Sequence, residues 1–134
     1  MIIDASVAVK WLIEEPDSGT ALALLGTDDL VAPSLIHAEV GNAIYKKRKL
    51  GEFADEEDLT TLPAQLASII RTVDEVPMMS RALELSLALD HPIYDCVYLA
   101  VAEAMNDDMI TADTRFLKKL ARHKIVGRVR ALGV

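Results

Sequence analysis

Four acidic residues, Asp4, Glu39, Asp95 and Asp113, stand where local signals would set them on one rim of a fold. Asp4 ends a short apolar run at residues 1–4, and Asp113 follows another, residues 109–111, by two positions. Glu39 falls about one and a half turns into a helix opened by Pro33 and Ser34, and Asp95 falls in the first turns of a helix opened by Pro92. Carboxylates gathered this way repel and raise one another's pKa unless a divalent cation compensates. With Cys96 the sole cysteine and His37, His91 and His123 scattered, no Cys/His ligand set exists. All-oxygen ligation selects a hard ion, Mg²⁺ or Mn²⁺, over zinc. The chemistry such a site supports is hydrolysis of a phosphodiester. The cation activates water, neutralises the phosphate and stabilises the leaving oxygen, with one or two ions roughly 4 Å apart. No covalent nucleophile on the protein is needed.

These positions demand strands that end on a common edge and helices that begin there. Residues 1–4 read as a first strand, with Ser6 as N-cap of a helix carrying Val7, Val9, Trp11 and Leu12. Pro16 closes that helix, Asp17 or Ser18 caps a second through Leu25, and Gly26 with Asp28 and Asp29 marks a turn. Residues 30–32 read as a strand, 33–50 as a long helix ended by Gly51, and 55–68 as a helix that Pro63 kinks or divides. A third strand is expected at 71–76 and a helix at 80–89. The next helix buries a stripe of Tyr94, Val97, Tyr98, Val101 and Met105. Residues 109–111 give a fourth strand, Asp113 caps a helix to about Ala121, and 125–129 offers a last strand. Strands alternating with helices imply right-handed crossovers, a mostly parallel sheet and an α/β fold whose ligands bind beyond the strands' C-terminal ends.

The 134 residues suit one domain, and 51% hydrophobic residues suffice for a core without disulfides. The start, MIIDASVAVKWLIEEP, lacks a basic region before its apolar stretch, and no run approaches the roughly 18 apolar residues of a membrane span. A soluble, cytoplasmic protein is expected. Net charge is −7, but residues 1–114 carry −14 and residues 115–134 carry +7. The basic end is either a solvated helix face or a patch that meets a phosphate backbone, and charge alone does not choose. The run Lys46 to Lys49 reads as a helix end favoured by the dipole, with RNA contact as the alternative. The histidines read as structural or solvent-facing, Cys96 as a small core residue, and Trp11 as core or subunit contact.

The strings IIDAS at 2–6, PSLIHAEVGNAI at 33–44, YDCVYLAVAEAM at 94–105 and ITADTRF at 110–116 resemble, in order and spacing, the successive motifs of PIN-domain ribonucleases, specifically VapC-type toxins. The resemblance spans nearly the whole chain. It implies a single PIN domain over 1–134, a three-layer fold with a sheet of 4–5 strands flanked by about 7 helices. It also implies a Mg²⁺- or Mn²⁺-dependent endoribonuclease, the toxin of a toxin-antitoxin pair. Asp4, Glu39, Asp95 and Asp113 carry over as the acidic metal site, with Asp4 and Asp95 as the primary ligands. Ser6 and Thr111 match supporting hydroxyl positions and Asn42 a polar one, where capping and local hydrogen bonding are the competing readings. RNA as substrate, a cognate antitoxin that occludes the cleft and a homodimer are implied with them. A haloacid-dehalogenase-type phosphatase would need a second Asp where Ser6 stands, and a phosphoacceptor receiver domain would need paired acidic residues after the first strand. A ribonuclease-H-like fold would follow its first Asp with antiparallel strands. The remaining alternative is a non-catalytic PIN-like module that binds RNA or protein.

Overall fold

The computed structural model describes residues 1–27, 29–125 and 127–134. Strands β1 (Ile2–Ile3), β2 (Val31–Pro33), β3 (Arg71–Val73), β4 (Met109–Thr111) and β5 (Val129–Ala131) form one sheet in the order β3-β2-β1-β4-β5. All neighbouring pairs are parallel. Ile2 pairs with both Val31 and Met109, and Ile3 with Ile110. Helices α1 (Ala5–Leu12), α2 (Ser18–Leu22), α3 (Ile36–Lys49), α4 (Leu62–Ile69), α5 (Met79–Leu89), α6 (Ile93–Met105) and α7 (Thr114–Arg122) connect them. Right-handed crossovers put α1–α4 on one face and α5–α7 on the other. Packing of α1 on α2, α3 and α4, and of α5 along α6, agrees with that division. Both faces being covered, the central strands are apolar throughout: Ile2, Ile3, Val31, Ala32, Met109 and Ile110 are buried. Succession to the left of β1 and to the right of β4 makes the gap between these two strands the switch point where a crevice opens.

Several sequence expectations shift. Asp4, not Ser6, is the N-cap of α1, because its carboxylate Oδ1 accepts from the Val7 N–H at 3.2 Å while Ser6 lies inside the first turn. The helix expected over 55–68 starts only at Leu62, with Pro63 in its first turn. The backbone before it is otherwise engaged: the Arg48 guanidinium donates to the carbonyls of Asp55 and Glu57, and Asp58 Oδ1 accepts from Thr60 N and Oγ1. The third strand stops at Val73, where Asp74 Oδ1 takes the Val76 N–H and a single 3₁₀ turn follows at Val76–Met78. The second helix is only Ser18–Leu22; Asp17 stands at its N-cap position but its side chain makes no capping hydrogen bond. The last strand runs Val129–Ala131 rather than 125–129, after Lys124 and Gly127 take positive φ. Asp28 and Val126, which the expected turn and last strand included, lie outside the described residues.

The stripe on α6 is also wider and shorter than periodicity suggested. Residues Cys96 to Ala102 are buried without interruption, whereas Tyr94 and Met105 at the ends are 60% and 37% exposed. The cause is placement: α6 packs on β1, β2 and β4 with α5 on its other side, so its middle is enclosed all round. Among the described residues, no helix is long and apolar enough to cross a membrane. Since Leu99 of α6 is 2% exposed and Leu87 of α5 is 75% exposed, their truncations separate core from surface. Leu99→Ala should cost about 2–5 kcal/mol in urea unfolding, and Leu87→Ala within about 0.5 kcal/mol.

Candidate functional site

Asp4 leaves β1 at its C-terminal end and is 2% exposed. Three donors hold its carboxylate: Ser6 Oγ at 2.6 Å and the Val7 N–H on Oδ1, and Thr111 Oγ1, from the end of β4, on Oδ2. The hydroxyls are themselves fixed. Ser6 Oγ accepts from the Ala112 N–H at 2.9 Å, and Thr111 Oγ1 accepts from the Asp113 N–H at 3.0 Å. The network therefore stitches the first turn of α1 to the end of β4. Burial nevertheless outweighs these hydrogen bonds and lifts the Asp4 pKa from 3.8 to about 7, with the Asp95 charge adding to the rise.

Asp4, Glu39, Asp95 and Asp113 all line one cleft of about 400 Å³, together with Ser6, Asn42, Lys46 and Tyr98. Asp95, in the first turn of α6, has Oδ2 at 2.6 Å from His91 Nε2. Its pKa is raised by burial and by the Asp113 charge, against the lowering contact with His91. Glu39 lies in the first turn of α3; burial raises its pKa, the Tyr98 hydroxyl beside it works in the lowering direction, and the Asp95 charge adds to the rise. Its Oε1 is buried without a hydrogen-bond partner, as is the hydroxyl of Tyr98. Asp113 caps α7, accepting from Arg115 N at 2.9 Å and Phe116 N at 3.1 Å, both on Oδ1, which leaves Oδ2 for the cleft. Asn42 is exposed on the rim.

Two of these lining residues, and the hydrogen-bond partner of a third, went unmarked in the sequence. Tyr98 was read as core and is fully buried, yet it reaches the cleft; Lys46 was read with a solvated run. His91 was set aside as structural. The run around Lys46 divides: Lys47 pairs with Glu15 at 3.0 Å and Glu52 at 3.2 Å, and Arg48 binds carbonyls, so Lys46 is left to the cleft. Within the basic end, Lys119 binds the Asp90 carbonyl, Arg128 the Asn106 side chain and Arg130 the Asp108 carboxylate. Arg115, Lys118 and Arg122 are exposed, make no ion pair among the described residues and share one face of α7 by their three- and four-residue spacing. Cys96 is buried, its thiol pushed up to about 11 by burial and the Asp95 charge.

Among the described residues, no three or more His, Cys, Asp or Glu side chains are already disposed to hold a metal ion. The donor set still fits a hard cation. It is all oxygen, the carboxylates of Asp4, Glu39 and Asp95 are pushed toward protonation by burial and neighbouring charge, and one of its buried oxygens, Glu39 Oε1, is unsatisfied.

Comparison with known proteins places this geometry in context. The family model described as PIN domain matches residues 1–122. Ribonuclease VapC1 of Mycobacterium tuberculosis is 31% identical over 117 residues, covering 85% of this chain and 86% of that protein. Ribonuclease VapC12 of the same species is 28% identical over 115 residues, covering 86% and 88%. The crystal structure of PAE2754 from Pyrobaculum aerophilum superposes with a TM-score of 0.67 at 20% identity, covering 98% of this chain and 87% of that one.

The raised Asp4 pKa fixes a sign. The folded state favours the neutral acid, so the stability that Asp4 contributes is complete below its ordinary pKa of 3.8 and is lost as pH rises through about 7. For the metal-free protein the full loss is roughly 4 kcal/mol, of which about 2–3 kcal/mol falls between pH 5 and 8. Urea unfolding in EDTA should show Asp4→Asn with a flatter dependence over that interval and greater stability than the natural chain at pH 8.

Proposed function

The chain belongs to the PIN-domain family, and from that premise we infer that it is a Mg²⁺- or Mn²⁺-dependent endoribonuclease, the toxin of a toxin-antitoxin pair. One observation carries the reading: a buried, doubly hydroxyl-bound carboxylate, Asp4, shares a cleft at the sheet's switch point with Asp95, Glu39 and Asp113. The naming of VapC1 and VapC12 as ribonucleases supports RNA as substrate. The domain is taken as 1–134, since β5, beyond the family match, completes the same sheet. A cognate antitoxin that occludes the cleft, a homodimer and a cytoplasmic setting belong to the same reading.

Asp4 and Asp95 would be the primary ligands and Glu39 and Asp113 the auxiliary ones. A divalent cation bound there would lower the pKa of water and offset charge on the phosphate and leaving oxygen. The residues supply the rest. Ser6 and Thr111 fix both oxygens of Asp4, so that ligand costs little reorganisation on binding. Glu39, with the Tyr98 hydroxyl beside its carboxylate, offers an acceptor able to orient a water, and its raised pKa suits it to receive a proton. Tyr98, its pKa driven up by burial and the Glu39 charge, stays a neutral hydroxyl donor. Lys46 brings positive charge to the rim, and Arg115, Lys118 and Arg122 extend it along α7 away from the Asp113 cap. The cations at the helix end are favoured by the dipole, but Arg115 in the first turn is not, which supports a role toward an anion outside the chain. The alternative is a non-catalytic PIN-like module that binds RNA or protein through the same cleft.

Pure protein with Mg²⁺ or Mn²⁺ should cut single-stranded or loop RNA, and EDTA or Asp4→Asn should reduce the rate at least roughly 100-fold. Cleavage that survives either treatment refutes the metal mechanism; RNA binding without cleavage, unchanged in Asp95→Asn, favours the non-catalytic module. In EDTA, replacing Arg115, Lys118 and Arg122 together by Gln should reduce the slope of log affinity against log salt for single-stranded RNA by about 2, measured by fluorescence anisotropy. An unchanged slope would return α7 to a solvated face.

A further inference from the structure

His91 sits in the link between α5 and α6, and its backbone is held twice by one residue. The His91 N–H donates to the Ser86 carbonyl at 3.1 Å, and Ser86 Oγ donates to the His91 carbonyl at 2.5 Å. On either side, Asp90 ends α5 in the left-handed conformation and Pro92 stands at the N-cap of α6. The imidazole packs against Phe116 of α7, ring centroids 5.0 Å apart at 35°. Its Nε2 then meets Asp95 Oδ2 at 2.6 Å. A ring clamped through its backbone and packed on a fully buried aromatic has little freedom left.

Asp95 needs such a partner. It is the third residue of α6, where an acidic side chain commonly folds back to accept the N-cap N–H. Pro92 has no N–H, so that local contact is closed to it. No hydrogen bond among the described residues falls on Asp95 Oδ1. Phe116 also ties this arrangement to the neighbouring carboxylate: its N–H donates to Asp113 Oδ1 at 3.1 Å while its ring supports His91. One residue of α7 thus braces both Asp113 and the holder of Asp95.

We propose that His91 is a positioning residue for Asp95: Nε2–H binds Oδ2, fixes the rotation of the carboxylate and reserves Oδ1 for the cation. The inference rests on the metal-dependent reading above. Groups that orient a metal ligand in this way change metal affinity without touching the ion.

The test is Mn²⁺ binding followed by electron paramagnetic resonance, with thermal melts of the metal-free proteins as a check on folding. His91→Phe, which keeps a ring against Phe116 but removes the donor, should weaken Mn²⁺ binding about 10-fold or more, and His91→Gln, which can return an N–H, should recover to within about threefold of the natural chain. If the natural chain binds Mn²⁺ and Asp95→Asn loses it while His91→Phe binds normally, the positioning role is overturned and the metal reading stands. Equal weakening in His91→Phe and His91→Gln also overturns it, since a donor then makes no difference. If the natural chain binds no Mn²⁺, the metal reading falls and this inference falls with it. Should the variants fail to fold, the His91 Nε2–H resonance of the natural chain decides: a saturable shift on Mg²⁺ titration is expected, and none would overturn the proposal.

Discussion

The structure turns on a carboxylate held out of water at the seam between β1 and β4. Those strands are only two and three residues long, so their ladder alone is a slight connection. The seam is extended by side chains: Thr111 and Ser6 grip Asp4 from both sides, and the backbone of Ala112 and Asp113 grips the two hydroxyls in return. The switch point of the sheet, where neighbouring crossovers part and leave an opening, is therefore closed by the same groups that form the floor of the cleft. Stability and site are not separable here. Donors that would normally lower a carboxylate pKa are outweighed by desolvation, which leaves Asp4 a poor place for a lone negative charge and a good one for a charge shared with a cation.

How much of this was legible depended on whether the deciding interaction was local. Asp113 as cap of α7 and Met109–Thr111 as β4 followed from adjacent residues, and both stand as expected. The four carboxylates were found because strand ends and helix starts of a parallel α/β fold share an edge, a rule that needs no contact information. The error over 55–68 came from distance: Arg48, seven and nine residues earlier, takes carbonyls that a helix would have used. The α6 stripe failed for a related reason. Periodicity reports one buried face, but enclosure by the sheet on one side and α5 on the other is a property of the assembled layers. His91 was half legible: its four-residue spacing from Asp95 and the adjacent Pro92 are local signals, whereas the Phe116 ring that supports it arrives from α7.

The charge distribution follows the same logic of separation. Acidic residues buried in the cleft raise one another's pKa, while the cations of α3 and the chain end are divided between internal partners and the surface. Lys47 and Lys10 converge on Glu15, at 3.0 Å and 2.7 Å, and so bind α3 to the segment after α1. That network pairs these cations within the chain, and neither of them lines the cleft. Of the cations that remain exposed, Lys46 lines the rim of the cleft, and Arg115, Lys118 and Arg122 lie along the helix that Asp113 caps.

The four carboxylates consequently differ in rigidity, and the difference has a direction. Asp4 has both oxygens engaged, Asp95 one, Asp113 one, and Glu39 carries a buried oxygen with no partner. Repulsion among them has to be relieved for any three to draw together, and the least restrained side chain moves at the least cost. Glu39, on the long helix α3 rather than at a strand end, has the Tyr98 hydroxyl beside its carboxylate but, among the described residues, no hydrogen bond that fixes its Oε1. Under the metal-dependent reading, a fixed floor at Asp4 with a less restrained wall at Glu39 would let a cation select its own coordination distances, which a hard ion with strict geometric demands requires. That no ligand set stands ready-made among the described residues, and that the cleft is acidic, are then two sides of one arrangement.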